Sequence, residues 1–231
     1  MIDALSTAPG FDDDERMLAT WAQPHPSFDA GVMVDISDVR SASAVSLDGR
    51  RVSLVLPTDD KLLALWQLAV DPYTGFRWRY HGMSVSPQFF AAHLWDGTAC
   101  QFIAQSHDGE EAVVYLVAHG MNPANGTCNI SMHGWPEWLG TPALWEGVYL
   151  FIRYLFANFS LRKIYGEVPE FNLAQFVSGA GAVFKAEARL RDYLYFDGMY
   201  WDQIIVSLSR DDFDEIDKKY GRLFARREEP V

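Results

Sequence analysis

The span His133-Gly-Trp-Pro-Glu-Trp-Leu-Gly-Thr-Pro-Ala-Leu-Trp145 places an imidazole, a carboxylate and a helix start close together. An imidazole of ordinary pKa, about 6.5, changes charge near neutrality and can accept a proton from a nucleophile. His133 is therefore the first candidate for a general base, with the carboxylates of Glu137 and Glu170 as alternatives. Thr141 is a good helix N-cap and Pro142 suits the first helical position. A helix that starts there offers backbone N–H groups of Gly140, Thr141, Ala143 and Leu144 and a positive dipole end. Those are the physical requirements of a phosphate cradle. No lysine or arginine reinforces it; Trp135, Trp138 and Trp145 surround it instead. Three indoles beside such a loop are the material of an aromatic-walled pocket.

The elements that must position these groups follow from pattern. Arg51–Pro57 reads as a strand, and Asp59 or Asp60 starts a helix with Leu62, Leu65, Trp66 and Ala69 at helical spacing. Ser86–Trp95 reads as a second short helix. Between them, Gly75-Phe-Arg-Trp-Arg-Tyr-His-Gly82 is aromatic and basic together and has no clear element. Cys100–Gln105, Ala112–Ala118 and Gly126–Met132 are strand-like runs. The turn-forming spacers His107–Glu110 and Asn122–Gly126 make them antiparallel hairpin partners. A helix over Pro142–Asn158 carries an apolar stripe of Leu144, Val148, Phe151, Ile152, Leu155 and Phe159. Lys163–Val168 is a strand, Asn172 begins a short helix, and Phe184–Leu190 and Trp201–Leu208 are the last strands. The expected class is α+β, one sheet with helices packed against it. Residues 1–48 are rich in Ala, Ser, Asp and Pro and form an extension; the domain proper occupies 49–231.

Composition excludes several functions. A formal charge of −12 argues against a grip on nucleic-acid phosphates. No apolar run reaches membrane-spanning length, and the N-terminus lacks the basic start and apolar block of a secretory leader. Cys100 and Cys128 form no CxxC motif, and a reduced, cytoplasmic protein is the expectation. The six histidines show no zinc spacing, so no metal is expected. The acidic runs Asp12–Glu15 and Asp211–Glu215 read as solvated surface.

The C-terminal third carries a resemblance. Asn172 is followed by Phe184, then Glu187-Ala-Arg-Leu-Arg191, Asp197-Gly-Met-Tyr-Trp-Asp202 and Ile204–Leu208, with Tyr154–Ile164 before them. In order and spacing these resemble the GNAT superfamily of acyl-CoA N-acyltransferases, in its RimJ/RimL-like branch. The order of elements from residue 50 onward fits as well.

The resemblance implies a central mixed, mostly antiparallel sheet flanked by helices, and direct acylation of an amine by acetyl-CoA or another acyl-CoA in a ternary complex. It puts the donor between splayed fourth and fifth strands. Met132, Gly140, Thr141, Ala143, Leu144 and Asn172 would hold it, and Trp135, Trp138 and Glu170 would meet the acceptor. That acceptor would be a small amine or a peptide N-terminus, and a homodimer is compatible with the family. The chain departs from the family's phosphate-loop pattern, Gln/Arg-x-x-Gly-x-Gly/Ala. In Glu137-Trp-Leu-Gly-Thr-Pro142 only Gly140 matches; an acid opens the motif and proline removes an amide at its end. The tyrosine that many members use to protonate the thiolate has no counterpart after Asn172, where Ser178 is the available hydroxyl. Two further readings stay open. One is a GNAT-fold binding module without turnover, and the other an acyltransferase fed by a carrier-protein thioester.

Overall fold

The computed structural model describes residues 46–173 and 183–224. Nearly all of the N-terminal extension and the stretch that contains Ser178 lie outside the described residues. Seven strands form one sheet: β1 (Val52–Val55), β2 (Thr98–Ser106), β3 (Ala112–Asn122), β4 (Thr127–Gly134), β5 (Lys163–Pro169), β6 (Lys185–Phe196) and β7 (Met199–Ser209). Their spatial order is β1-β2-β3-β4-β5-β7-β6, and every pair is antiparallel except β4–β5. Helices α1 (Asp59–Val70), α2 (Pro87–His93), α3 (Pro142–Asn158) and α4 (Arg210–Phe224) flank it. This is the α+β class that the sequence pattern leads one to expect, with the mixed, mostly antiparallel sheet that the resemblance implies.

Alternation along the strands gives each face its own core. On one face, Val114, Leu116, Ile130, Ile164, Val206 and Leu208 pack with Leu144, Val148, Phe151 and Leu155 of α3. On the other, Ile103, Tyr115 and Val117 pack with Leu65 and Leu68 of α1, Phe90 of α2 and Trp78. The long apolar helix α3 is fastened at its first turns by Glu146, which is fully buried. Its carboxylate accepts from the Arg51 amide at 2.6 Å and the Arg51 guanidinium at 2.9 Å. Helix and first strand are thereby tied by charge-assisted bonds.

Helix α4 is absent from the sequence expectation, which leaves Asp211–Glu215 as solvated surface. Ser209 and Asp212 exchange hydrogen bonds across its first turn, a capping arrangement, and Phe213 is only 4% exposed against Tyr149 and Phe156. The acids are thus a helix start whose dipole favours negative charge. Arg79, in the aromatic and basic segment, is held by backbone carbonyls. Its guanidinium donates to the carbonyls of His93 at 3.3 Å and Asp96 at 2.7 Å, closing the end of α2.

Candidate active site

The one parallel pair decides where a site forms. β4 and β5 are paired from Thr127–Lys163 to Ile130–Gly166, and their pairing stops there, although both strands continue. β4 remains bonded to β3 on its other side, as far as the bond from the Trp135 amide to the Val113 carbonyl at 3.1 Å. Antiparallel bonding alternates residue by residue, so the backbone groups of Met132 and Gly134 turn away from β3, toward the diverging β5. A cleft of about 460 Å³ opens there. It is lined from one face by Met132, Leu144 and Val168, and from the other by His119, Ser131, Glu167 and Gln203.

The loop beyond β4 winds tightly before α3. Trp138, Leu139 and Thr141 donate their amides to carbonyls three residues back, and the Leu144 amide bonds the Thr141 hydroxyl at 3.4 Å. The cap expected at Thr141 therefore forms, and it occupies the Leu144 amide; the Thr141 amide is likewise taken. Gly140 and Ala143 keep amides that bond nothing among the described residues. Gly140 has φ +76°, the left-handed region that disfavours other side chains, and open space where a Cβ would stand. It lines the cleft together with Leu144.

The remaining sequence candidates separate. His133 lines the cleft but is buried, 6% exposed, with its ring stacked on Trp78 at 4.5 Å. Burial, reinforced by Arg77 and His119, pushes its pKa down to about 3. It is a neutral imidazole at physiological pH, and its conjugate acid is too strong for it to be an effective general base near neutrality. Glu137 stands exposed on the turn Pro136–Trp138 and does not line the cleft. Trp135 packs into the core beneath α1 and α2, and Trp138 into the core beneath α3; of the three indoles only Trp145 lines the cleft. The chain leaves the sheet between Trp135 and Trp138, which sends neighbouring side chains to opposite faces. Glu170 is engaged outside the cleft by Arg189 at 2.6 Å. Asn172, 8% exposed, lies in the cleft wall and accepts from Arg77 Nη2 at 3.0 Å.

Arg77, His119, Ser131 and Glu167 line the cleft and were not among the sequence candidates. Register gathers three of them on one face. β3 and β4 pair His119 with Asn129 and Val117 with Ser131, and β4 and β5 pair Asn129 with Tyr165. Two residues farther along each strand, Ser131 and Glu167 share that face with His119. His119 Nε2 lies 3.0 Å from Ser131 Oγ; burial lowers the pKa of His119 while the Glu167 carboxylate works against that shift. Gln203 donates to Glu167 at 3.2 Å. Arg77 arrives from the segment that had no clear element, the tight turn Gly75–Arg77. Gly75 passes so close to α1 that a Cβ would meet the Ala69 carbonyl oxygen at 2.6 Å. Phe76 anchors the turn at the opposite end of the sheet, 4.1 Å from Phe196 and 5.4 Å from Phe171 between ring centres.

Among the described residues no three His, Cys, Asp or Glu side chains gather as a metal site requires. Both cysteines are free, and burial pushes the Cys100 thiol up to about 11 and the Cys128 thiol up to about 12. No described helix is long and apolar enough to cross a membrane.

No protein-family model matches the chain, and no curated protein does. Solved structures do match. The spermidine N-acetyltransferase from Vibrio cholerae, in complex with CoA and spermine, superposes with TM-score 0.62 at 15% identity, over 70% of this chain and 97% of that one. A GCN5-related N-acetyltransferase from Brucella melitensis gives TM-score 0.60 at 19% identity, over 76% of this chain and 83% of that one. At these identities the likeness is one of fold: the seven-stranded, mostly antiparallel sheet flanked by helices is the fold of these N-acetyltransferase structures.

Proposed function

We propose that the chain transfers an acyl group from an acyl-CoA, acetyl-CoA first among them, to the primary amine of a small molecule or a peptide N-terminus. The observation that carries this reading is the end of β4–β5 pairing at Ile130 and Gly166. It leaves β4 backbone unpaired beside a cleft lined from both sheet faces. The groups present suit the donor. Met132 and Gly134 offer backbone donors and acceptors to an amide-bearing arm, and the free amides of Gly140 and Ala143 offer a cradle to its pyrophosphate. This is a thinner cradle than the family pattern supplies, because Thr141 and Leu144 spend their amides within the loop.

The chemistry is direct. The neutral amine attacks the thioester carbonyl carbon, forming the C–N bond. The C–S bond breaks as the tetrahedral adduct collapses, and the thiolate leaves with the electron pair. The proton shed by nitrogen passes to the Glu167 carboxylate, which lines the acceptor side of the cleft beside His119. A thiolate is a weak enough base near neutral pH to depart without an acid. His133, neutral and buried, serves as wall and hydrogen-bonding group, and Asn172 orients Arg77.

Mass spectrometry of an amine panel after incubation with the full chain and acetyl-CoA tests the proposal. The amine gains one acetyl group only when chain and donor are both present. Acetylation that proceeds with a carrier-protein thioester and not with acetyl-CoA would replace the donor. Ligand binding without any acylation would leave a binding module in the enzyme's place.

A further inference from the structure

The cleft holds two buried nitrogens with no hydrogen-bond partner among the described residues, Arg77 Nε and His133 Nδ1. Such groups are costly to bury unpaired, by about 1–3 kcal/mol each and more for a charged one. Arg77 spends Nη2 on the neutral amide oxygen of Asn172 and forms no ion pair with any carboxylate among the described residues. A guanidinium keeps its charge at any physiological pH, so the cleft contains a cation that no described residue compensates. Its only described acid is Glu167, which is bonded to Gln203 and forms no ion pair with Arg77. No lysine and no aspartate joins them among the described lining residues. One fixed positive and one fixed negative charge therefore face the same space without neutralising each other.

We propose that the amine acceptor also carries a carboxylate, as an α-amino acid or a close homologue does, with Arg77 and His133 Nδ1 holding the carboxylate while Glu167 faces the ammonium. This rests on the acyl-transfer reading and names the class of acceptor for it. The fork of Arg77 suits a carboxylate, and Asn172 fixes one arm of that fork while leaving Nε for the ligand. His133 is held in orientation by its stacks on Trp78 at 4.5 Å and Tyr115 at 6.1 Å. As a neutral imidazole it carries one proton that Nδ1 can present. Glu167, facing the amine, attracts the ammonium; solvent takes the proton whose loss makes nitrogen nucleophilic, and the carboxylate accepts the second one, shed after attack. A carboxylate beside the amine thus satisfies both orphaned nitrogens at once. A simple alkylamine leaves them unpaired, and an amino-acid amide or a peptide N-terminus offers one neutral oxygen with no charge to match the guanidinium.

The test compares amino acids with their α-amides and with the amines left by decarboxylation, following thiol release from acetyl-CoA by the full chain. The free acids are expected to exceed their amides and amines in kcat/KM by about 100-fold or more, as sites that bury polar groups discriminate against analogues lacking the partner. In Arg77→Gln the ratio of acid to amine collapses toward one, and Arg77→Lys, which keeps charge but loses the fork, falls between. Circular dichroism confirms that each variant is folded. Turnover of amines with no preference for the acid, or a preference that survives Arg77→Gln, overturns this inference and leaves the acyl-transfer reading standing. Should no amine of either kind be acylated, calorimetry with N-acetyl amino acids decides. Binding that Arg77→Gln weakens at least tenfold upholds the carboxylate site while the transfer reading falls, and absence of binding overturns the site as well.

Discussion

His133→Phe isolates one side chain whose burial has a stated consequence for pH dependence. The histidine is 6% exposed, and its pKa falls from 6.5 to about 3 on folding. Below pH 6.5 the unfolded chain therefore binds a proton that the folded chain refuses. Stability contributed by the neutral ring is present above pH 6.5 and is lost as pH falls, until both states are protonated below about pH 3. The slope is half its full value of about 1.4 kcal/mol per pH unit at pH 6.5 and approaches that value below, so the two units from pH 6.5 to 4.5 remove about 2 kcal/mol on account of His133 alone. That is a large share of the 5–15 kcal/mol typical of a folded domain. Phenylalanine keeps the stack on Trp78 and removes the titrating nitrogens. Urea unfolding at fixed ionic strength, at pH 6.5, 5.5 and 4.5, measures the loss in each protein. His119 also titrates with a lowered pKa in both proteins, so the informative quantity is the difference between them. Wild type should lose about 2 kcal/mol more than His133→Phe over those two units. Equal losses would refute the claim that His133 is held neutral, and with it the reason for excluding it as the general base.

Three further outcomes are expected. Glu167→Gln should lower kcat/KM about 100-fold at pH 7, measured by thiol release. Gly140→Asp should weaken acetyl-CoA binding at least tenfold by calorimetry, because it sets a negative charge beside the free amides of Gly140 and Ala143. Gly140→Asn, of nearly the same shape and with the same backbone cost of about 1 kcal/mol at positive φ, should bind far closer to wild type. Glu146→Ala should destabilise by about 1–3 kcal/mol in urea because it strands the Arg51 and Val52 amides, and Arg51→Ala should cost at least as much, because it leaves a fully buried carboxylate without its cation.

The elements were legible where local chemistry and periodicity agree. Turn residues at His107–Glu110 and Asn122–Gly126 delimit β2, β3 and β4, and the Thr141-Pro142 cap with its apolar stripe gives α3 at its observed bounds. Helix α4 was missed because charges crowd it, though Phe213, Ile216 and Phe224 lie at helical spacing and all pack on the core. The site was legible only in part. Met132, Gly140, Leu144 and Asn172 line the cleft, as does His133, because a loop and a strand end mark themselves in sequence. His119, Ser131 and Glu167 are scattered along three strands, and only register makes them neighbours. Arg77 sits in a turn whose direction is set by the rings around Phe76 and the close pass at Gly75, which no local pattern announces. The indoles misled for the converse reason. Trp135 and Trp138 are close in sequence, yet the chain passes from one core to the other between them.

Amine-dependent thiol release from acetyl-CoA, measured on the full chain, tests the central claim most directly. The account predicts saturable release that requires both the donor and an amine, and that falls in Glu167→Gln. Release at the uncatalysed rate with every amine, together with no measurable acetyl-CoA binding, would contradict it.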